Sequence, residues 1–474
     1  MKVQNITLEQ VLAARDRRVE IQNNMLTEGE TACRAGACNG PVCLVCLTMN
    51  IAGEVKRTPM TKMLFNRGVA EFEALGFDVL NTELIDAPTG SEAFWLVLGD
   101  AAAVKKKLEA VEDSFPAARL FDFDVLVREG SSSVIKLSRE VSRRCLICGG
   151  PAAECARSRS HGLLAVKMET GRLLKEFCAG TLADAGYASL LDELYTTPKP
   201  GLVDLANNGA HTDMDVPLFE KSAESLRPYF YDAALMGIIG CSMAELRVRG
   251  LEAEAEMFAA TGGVNTHKGM IYSMGLLLAG AGKALTYRDE PAPASCFNNE
   301  FKLGDLGLGE LAIHFASCYA LEDAEDMMAK SAADPSTNGG RVMKAYGAKG
   351  AMWEAASGFP DAVYCAERLG HYKSGTDEAA ECAEAAAEYA GVLAFCDSMS
   401  RLEDTNLLHR GGPEGLDFAR TAAAEIAALS EEGRVEALRR LDDEMISRNL
   451  SPGGSADMLA LAFFLCRLRE IERV

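Results

Sequence analysis

In the run Arg119-Leu-Phe-Asp-Phe-Asp-Val, two carboxylates stand two residues apart among apolar side chains. A strand sends successive side chains to opposite faces, so Asp122 and Asp124 share one face and Phe121, Phe123 and Val125 the other. Carboxylates ~7 Å apart along a strand repel each other. A Mg²⁺ between them removes the conflict and serves phosphoryl or nucleotidyl transfer. The competing account is a solvated strand edge, but Asp is a poor strand former and two in one short strand favour the metal. A second set, Cys145, Cys148, Cys155 and His161, has the spacing C-x2-C-x6-C-x5-H. Three thiolates and an imidazole suit a structural Zn²⁺, the alternative being a group of thiols near the surface. Cys33, Cys38, Cys43 and Cys46 form another group, but Cys43 and Cys46 lie in an apolar run where core packing is the better account.

Five polar clusters follow further along the chain. They are 198–204 with Lys199 and Asp204, 207–215 with His211, Asp213 and Asp215, 261–269 with Asn265, His267 and Lys268, 404–412 with Asp404, Asn406 and Arg410, and 448–457 with Ser451, Ser455 and Asp457. Loops this rich in Asp, Asn, His and Gly on a helical scaffold make a site when they converge. Taken singly, Ser455 reads as a helix cap and each histidine as a hydrogen-bonded structural residue. Two clusters lead into helices, so their N–H groups suit an anion, with Lys268 as a point charge and Arg410 as a fork. No stretch fits G-x4-G-K-[ST], which argues against a P-loop NTPase. The acids are expected to hold Mg²⁺ on a triphosphate or to serve as a general base, with Asp213 and Asp215 as the expected metal pair.

The elements that must position these residues fall into two textures. Residues 8–25 read as a helix carrying Arg15, Arg18 and Gln22 on one face. Residues 41–51, 94–98, 120–127 and 134–137 read as strands, the last two pairing across a turn at 130–133. Residues 62–75 and 101–113 read as helices. From about Leu173 strand patterns vanish and Ala-rich helices dominate, including 377–398, 415–429 and 456–473. The expected architecture is an α/β domain over 1–175 with a nucleotidyltransferase-like mixed sheet, then an all-α domain over 176–474.

Charge follows the same division. Residues 1–176 hold 23 basic and 23 acidic residues, so the whole net charge of −21 lies beyond them. An acidic chain is a poor nonspecific nucleic-acid binder. With 48% hydrophobic and 25% charged residues among 474, the chain is neither disordered nor fibrous. No apolar run is long enough for a membrane span, and the first ten residues are polar. With fifteen Cys, an odd number, several of them in apolar helices, the expectation is a reducing cytoplasm.

Arg15-Asp-Arg-Arg…Gln22, Phe65-Asn-Arg-Gly, Thr89-Gly-Ser-Glu, Arg119-Leu-Phe-Asp-Phe-Asp-Val and Arg144-Cys-Leu-Ile-Cys…Cys155-Ala-Arg-Ser-Arg…His161 resemble apo-citrate lyase phosphoribosyl-dephospho-CoA transferase over most of residues 8–165. That family places the group on a serine of the acyl-carrier subunit of citrate lyase and releases pyrophosphate. The resemblance implies that Asp122 and Asp124 hold the metal and that Arg15, Arg18 and Arg119 face substrate phosphates. A departure is Ile51-Ala-Gly-Glu-Val-Lys, where the family has Pro-Gly-Pro before the lysine; Glu54 there puts an acid near the phosphate site expected at Lys56.

The five later clusters, with Glu354-Ala-Ala-Ser-Gly-Phe-Pro360, resemble triphosphoribosyl-dephospho-CoA synthase in order through 185–465. That family joins the triphosphoribose of ATP to the 2′-hydroxyl of 3′-dephospho-CoA and expels adenine. Lys199, Asn265, Asn406, Arg410, Ser455 and Asp457 are expected to bind substrate and its phosphates. Asp213, Asp215, His267, Lys268 and Asp404 are expected to carry the chemistry, one of Asp213, Asp215 or Asp404 as base and His211 or His267 as proton donor. Met352-Trp353 stands where the family has Arg-Gly. The product of the second half is the substrate of the first, so the two resemblances support each other. The rival readings are the same chemistry for another carrier, such as that of malonate decarboxylase, a nucleotide hydrolase or kinase, and a non-catalytic helical carrier-binding module.

Overall fold

The computed structural model describes residues 5–36, 40–129, 133–287, 306–329, 338–348, 350–374, 389–427, 429 and 431–472. The chain divides into two compact units, one of residues 1–178, 285–290 and 471–474, the other of residues 179–284 and 291–470.

The first unit is built from α1 (Leu8–Arg34), β1 (Val42–Met49), α2 (Pro59–Ala74), β2 (Asp78–Ala87), β3 (Gly90–Leu98), α3 (Ala101–Glu112), β4 (Phe121–Glu129), β5 (Ser133–Lys136) and the short α4 (Ala152–Ser158). The strands form one sheet in the order β2-β3-β1-β4-β5, and every neighbouring pair is antiparallel. This corrects the expected mixed sheet. Each crossover helix, α2 and α3, joins strands with one other strand between them, so parallel strands never become neighbours. That is the split β-α-β arrangement. β2 was not expected: its Asp, Asn, Thr and Glu residues are mostly exposed at the sheet edge, and only its pairing with β3 identifies it. The turn expected at 130–133 lies outside the described residues up to Ser133, where β5 begins.

One sheet face carries Val45, Leu47, Trp95, Val97, Phe121, Phe123 and Val125 under α2 and α3, with Phe72 stacked 3.9 Å from Trp95. The other face carries Leu44, Cys46, Phe94, Leu96 and Leu126 under Met25 and Leu26 of α1. α1 starts at a Thr7/Gln10 capping box and runs nine residues beyond the expected end at Met25. Gly29 allows this, since a Cβ there would meet Val42 and Leu96.

The second unit is helical throughout its described residues. Its first helix is the latter part of α5 (Leu163–Tyr195). Then come α6 (Val216–Ile239), α7 (Met243–Thr261), α8 (Lys268–Thr286), α9 (Leu308–Ala329), α10 (Asn338–Tyr346), α11 (Ala351–Ala356), α12 (Pro360–Ser374), α13 (Ala390–Arg401), α14 (Thr405–Ala427), α15 (Glu431–Ser447) and α16 (Gly453–Glu472). The apolar stretch of α8 is a buried core helix; Gly280 and Gly282 let it approach the backbones of α9 and α6, which any Cβ would strike. The helix expected over 377–398 is described only from Tyr389 onward. The expected loop at 404–412 is instead the first two turns of α14, which kinks at Gly412 (φ 63°) before Pro413. Among the described residues, no helix is long and apolar enough to cross a membrane.

Candidate functional site

Asp122 and Asp124 alternate with the buried Phe121, Phe123 and Val125, and they share the sheet face partly covered by α1. Opposite them on β1 stand Thr48 and Cys46. Asp124 is half-buried and ion-paired with Lys136 of β5; Asp122 lies 3.7 Å from Arg143 Nη2. Burial and the neighbouring Asp122 carboxylate hold the Asp124 carboxyl above its ordinary range, and Lys136 pulls it partly back. The same face holds Glu92, almost wholly buried, which accepts from Arg18 Nη2 at 2.6 Å and lies 3.5 Å from Arg17 Nη2. Cys46 lies within electrostatic reach of Asp124, Arg18 and Glu92 together. Arg18 therefore reaches the acidic patch, with Arg17, which the helical-face argument missed. Arg15 is exposed one turn earlier. Arg119 donates to the Arg144 carbonyl, which ties it to the cysteine loop. Lys56 donates to the Ile51 carbonyl, and burial beside Lys167 lowers its pKa.

At its N-terminal half β4 has no strand on one side, and α3 supplies the missing partners. Glu112 Oε1 accepts from the Phe123 N–H at 2.7 Å, and Lys105 Nζ donates to the Phe123 carbonyl at 2.7 Å. The aspartate strand is thereby held without a ladder neighbour.

Cys145, Cys148, Cys155 and His161 bring one ligand atom each to within 4.8 Å of one another. Cys148 Sγ lies 3.5 Å from Cys155 Sγ and 3.3 Å from His161 Nε2. The other cysteine group does not gather in this way: Cys43 and Cys46 are buried on opposite faces of β1, Cys33 is disulfide-bonded, and Cys38 lies outside the described residues.

In the helical unit the starts of α8, α14 and α16 meet. Asp404 is buried. Its Oδ1 accepts from the Asn406 and Leu407 N–H groups at 2.9 and 3.3 Å, and its Oδ2 from the Ser455 N–H and hydroxyl at 2.9 and 3.1 Å. One carboxylate thus caps two helices; burial raises its pKa and the N–H groups oppose that. Ser455 belongs to this cap. Asp457 sits against Gly269 at the start of α8, where a Cβ would meet its Oδ2. Burial, then Glu193 and Asp404, push its carboxyl up to about 8. Lys199 is fully buried and donates to Glu193 Oε1 at 2.5 Å and to the Glu193 carbonyl at 2.6 Å. Asp204 accepts from the Lys199, Ala206 and Asn207 N–H groups and folds that loop back. His267 is buried with Nδ1 2.7 Å from Ser222 Oγ; burial, then Lys199, hold it down at about 4, so the ring is neutral near pH 7.

The second cluster lies beside the same 449–457 segment. His211 Nε2 is 2.9 Å from Ser451 Oγ, and its Nδ1 is 3.3 Å from Arg410 Nη2. Arg410 also donates to Asn449 Oδ1 and the Ala210 carbonyl. Asp213 is exposed within electrostatic reach of both His211 and Arg410. Asp215 caps α6 through the Leu218 N–H at 2.9 Å. Asn406 is exposed above Gly453. Asn265 Oδ1 accepts from the Lys268 N–H, and Lys268 Nζ is 2.6 Å from Glu254. Glu354 caps α12 through the Asp361 and Ala362 N–H groups, and burial raises it to about 7.

Sequence reasoning missed Glu193, Ser222 and Asp442. Glu193 lies in an unbroken amphipathic helix. Asp442, which accepts from Gly201 N–H and Asn207 Nδ2, is one of several acids on α15. Only the buried lysine between two prolines, Lys199, hinted that an acid must face it.

Comparison with known proteins assigns these units. Residues 6–177 match the family model described as CitX, apo-citrate lyase phosphoribosyl-dephospho-CoA transferase. Residues 179–474 match that described as CitG, ATP:dephospho-CoA triphosphoribosyl transferase. Protein CitXG of Haemophilus influenzae is 31% identical, across 98% of this chain and 97% of that protein. Protein CitXG of Leuconostoc mesenteroides subsp. cremoris is 26% identical across 98% of each. The 2-(5''-triphosphoribosyl)-3'-dephosphocoenzyme-A synthase of Haemophilus ducreyi is 34% identical, across 68% of this chain and 99% of that protein. The chain is a transferase with a CitX region followed by a CitG region, and it belongs to the CitXG family.

Proposed function

We propose that this protein both makes and installs the prosthetic group of citrate lyase. Residues 176–474 join the triphosphoribose of ATP to the 2′-hydroxyl of 3′-dephospho-CoA and release adenine. Residues 1–175 move the phosphoribosyl-dephospho-CoA group onto a serine of the acyl-carrier subunit and release pyrophosphate. The observation that carries this reading is the gathering of Glu193, Lys199, His267, Asp404 and Asp457 at the meeting starts of α8, α14 and α16.

In the first reaction the C1′–N9 bond of ATP breaks and a C1′–O2′ bond forms. The hydroxyl proton must leave and adenine must gain one. Asp457 suits this exchange: a carboxyl held near 8 donates and accepts protons around neutrality, as a neutral imidazole at His267 does not. His267 instead orients through Ser222. Lys199 offsets the charge of Glu193, while Lys268, Asn265, Asn406 and Arg410 stand at helix starts where triphosphate oxygens would lie. Asp213, within electrostatic reach of His211 and Arg410, and Asp215, at the cap of α6, would hold a Mg²⁺ on the triphosphate.

In the second reaction the serine oxygen bonds to the α-phosphorus as the bond to pyrophosphate breaks. Asp122 and Asp124 fit a Mg²⁺: two carboxylates share one face, and burial with the neighbouring Asp122 carboxylate holds Asp124 above its usual pKa even beside Lys136. Bound there, the ion supplies charge to the phosphate oxygens. Arg18 and Arg17 pair with Glu92 at the same patch, and Arg15 and Arg119 would reach phosphate oxygens of the bound substrate.

Mixing the protein with ATP, 3′-dephospho-CoA, Mg²⁺ and apo-carrier, then weighing the carrier by mass spectrometry, tests the reading. A gain equal to phosphoribosyl-dephospho-CoA supports it. Carrier modification with the malonate decarboxylase carrier alone, or ATP hydrolysis without dephospho-CoA, replaces it.

A further inference from the structure

We propose that Cys145, Cys148, Cys155 and His161 bind one Zn²⁺, and that this ion sets the position of Arg143 beside Asp122. Two independent observations carry the metal. The first is distance. A tetrahedral zinc with Zn–S of about 2.3 Å and Zn–N of about 2.0–2.1 Å separates its ligand atoms by roughly 3.5–3.8 Å. The observed 3.5 Å between Cys148 and Cys155 sulfurs and 3.3 Å from Cys148 to His161 Nε2 lie close to those edges, and far from a disulfide. The second is that the far end of the loop has no apolar anchor of its own. α4, which carries Cys155, has no buried residue. A segment without a core of its own needs a staple.

The backbone is shaped for the same end. Gly149 adopts φ 70°, and its N–H returns to the Cys145 carbonyl at 3.1 Å, closing a tight turn between the first two thiols. Arg159 in the left-handed region (φ 49°) ends α4 and turns the chain so that His161 comes back onto Cys148.

The segment follows β5 in the chain and is tied back to the start of the aspartate strand. Arg143, two residues before Cys145, donates from Nη2 to the Phe121 carbonyl at 2.9 Å and lies 2.5 Å from Glu112 Oε1 and 3.7 Å from Asp122 Oδ1. Arg119, at the entrance to β4, donates to the Arg144 carbonyl. A metal that fixes Cys145 therefore fixes both arginines. Arg143 is a positioning residue: it neutralises Glu112, whose Oε1 holds the Phe123 N–H between the two aspartates. The metal part stands on its own; the coupling part rests on the proposed transfer reaction.

The test uses the full-length protein. Elemental analysis is expected to give about one zinc per chain, lost in Cys148→Ser and kept in His161→Cys. Co²⁺ in place of Zn²⁺ is expected to give tetrahedral d–d bands and thiolate-to-cobalt absorption, shifted in His161→Cys. Chelated protein should transfer supplied triphosphoribosyl-dephospho-CoA to the carrier at least about tenfold more slowly, with adenine release unchanged. Arg143→Ala should lower kcat for transfer to a similar degree while retaining its zinc, and Arg143→Lys should restore part of it. Zinc below a tenth of an equivalent, or full retention in Cys148→Ser, overturns the site. Full transfer by the chelated protein or by Arg143→Ala overturns the coupling. If zinc-loaded protein never modifies the carrier, the proposed function fails while the metal stoichiometry and cobalt spectrum still stand.

Discussion

The two units place their acids in opposite structural roles. On the sheet, Asp122 and Asp124 sit on a strand whose burial comes from Phe121, Phe123 and Val125, and whose unpaired edge is satisfied by Glu112 and Lys105. Neither aspartate caps a helix or closes a loop. In the helical unit Asp404 caps two helices, Asp204 closes a loop, and Lys199 with Glu193 forms a buried pair. There the groups that face the site also hold its walls. A strand gives side chains away to one face at no cost to the backbone, whereas helix starts must spend the same acids on orphan N–H groups. Activity and stability are therefore separable in the first unit and coupled in the second.

The sharpest break of that contrast is Lys199→Met. It leaves Glu193 buried without its cation, and the helical unit should lose about 3–5 kcal/mol in chemical denaturation. A loss below 1 kcal/mol would mean that Glu193 is readily rehydrated or protonated. Next is Asp404→Ala, which strands the Asn406, Leu407 and Ser455 N–H groups. The expected cost is about 2–4 kcal/mol together with most of the adenine release, read by urea titration followed by helix circular dichroism.

Asp457 gives a pH-dependent effect with a definite sign. Its folded pKa, near 8, lies above the ordinary 3.8, so the folded protein holds a proton that the unfolded chain has lost. Stability should fall as pH rises between about 4 and 8, by at most about 1.4 kcal/mol per unit. Asp457→Asn should flatten that slope. An unchanged slope would place the titration elsewhere. Lys268→Ala should move stability least, by under about 1 kcal/mol, because its pair with Glu254 is largely solvated; a larger change in the denaturation midpoint would show that the α8 start depends on it.

Much of this was legible in the sequence. The alternation of Phe121, Asp122, Phe123 and Asp124 was enough to orient four side chains, because a strand has only two faces. The Cys145–His161 spacing likewise named four residues that do gather. What could not be read depended on partners distant in sequence. β2 has too little apolar character to declare itself without β3. The face of α1 was judged from Arg15, Arg18 and Gln22; Arg18 does reach Glu92, but packing of Ala14, Met25 and Leu26 brings Arg17 there with it while Arg15 stays exposed. The 404–412 cluster looked like a loop because Gly and Pro end most helices, yet Asp404 caps a helix that survives to a kink. Glu193 carries no local mark at all; only a buried Lys199 requires it.

The separation of the two chemistries is tested most directly by full-length Asp122→Asn, given ATP, 3′-dephospho-CoA, Mg²⁺ and apo-carrier, with free adenine and carrier mass followed together. Asn keeps size and hydrogen bonding, so stability should change by no more than about 0.5 kcal/mol. Carrier modification should fall by about 10²–10³-fold, while adenine appears at the normal rate and triphosphoribosyl-dephospho-CoA accumulates. Loss of adenine release, with transfer of supplied triphosphoribosyl-dephospho-CoA intact, would contradict the assignment of the two reactions to the two units.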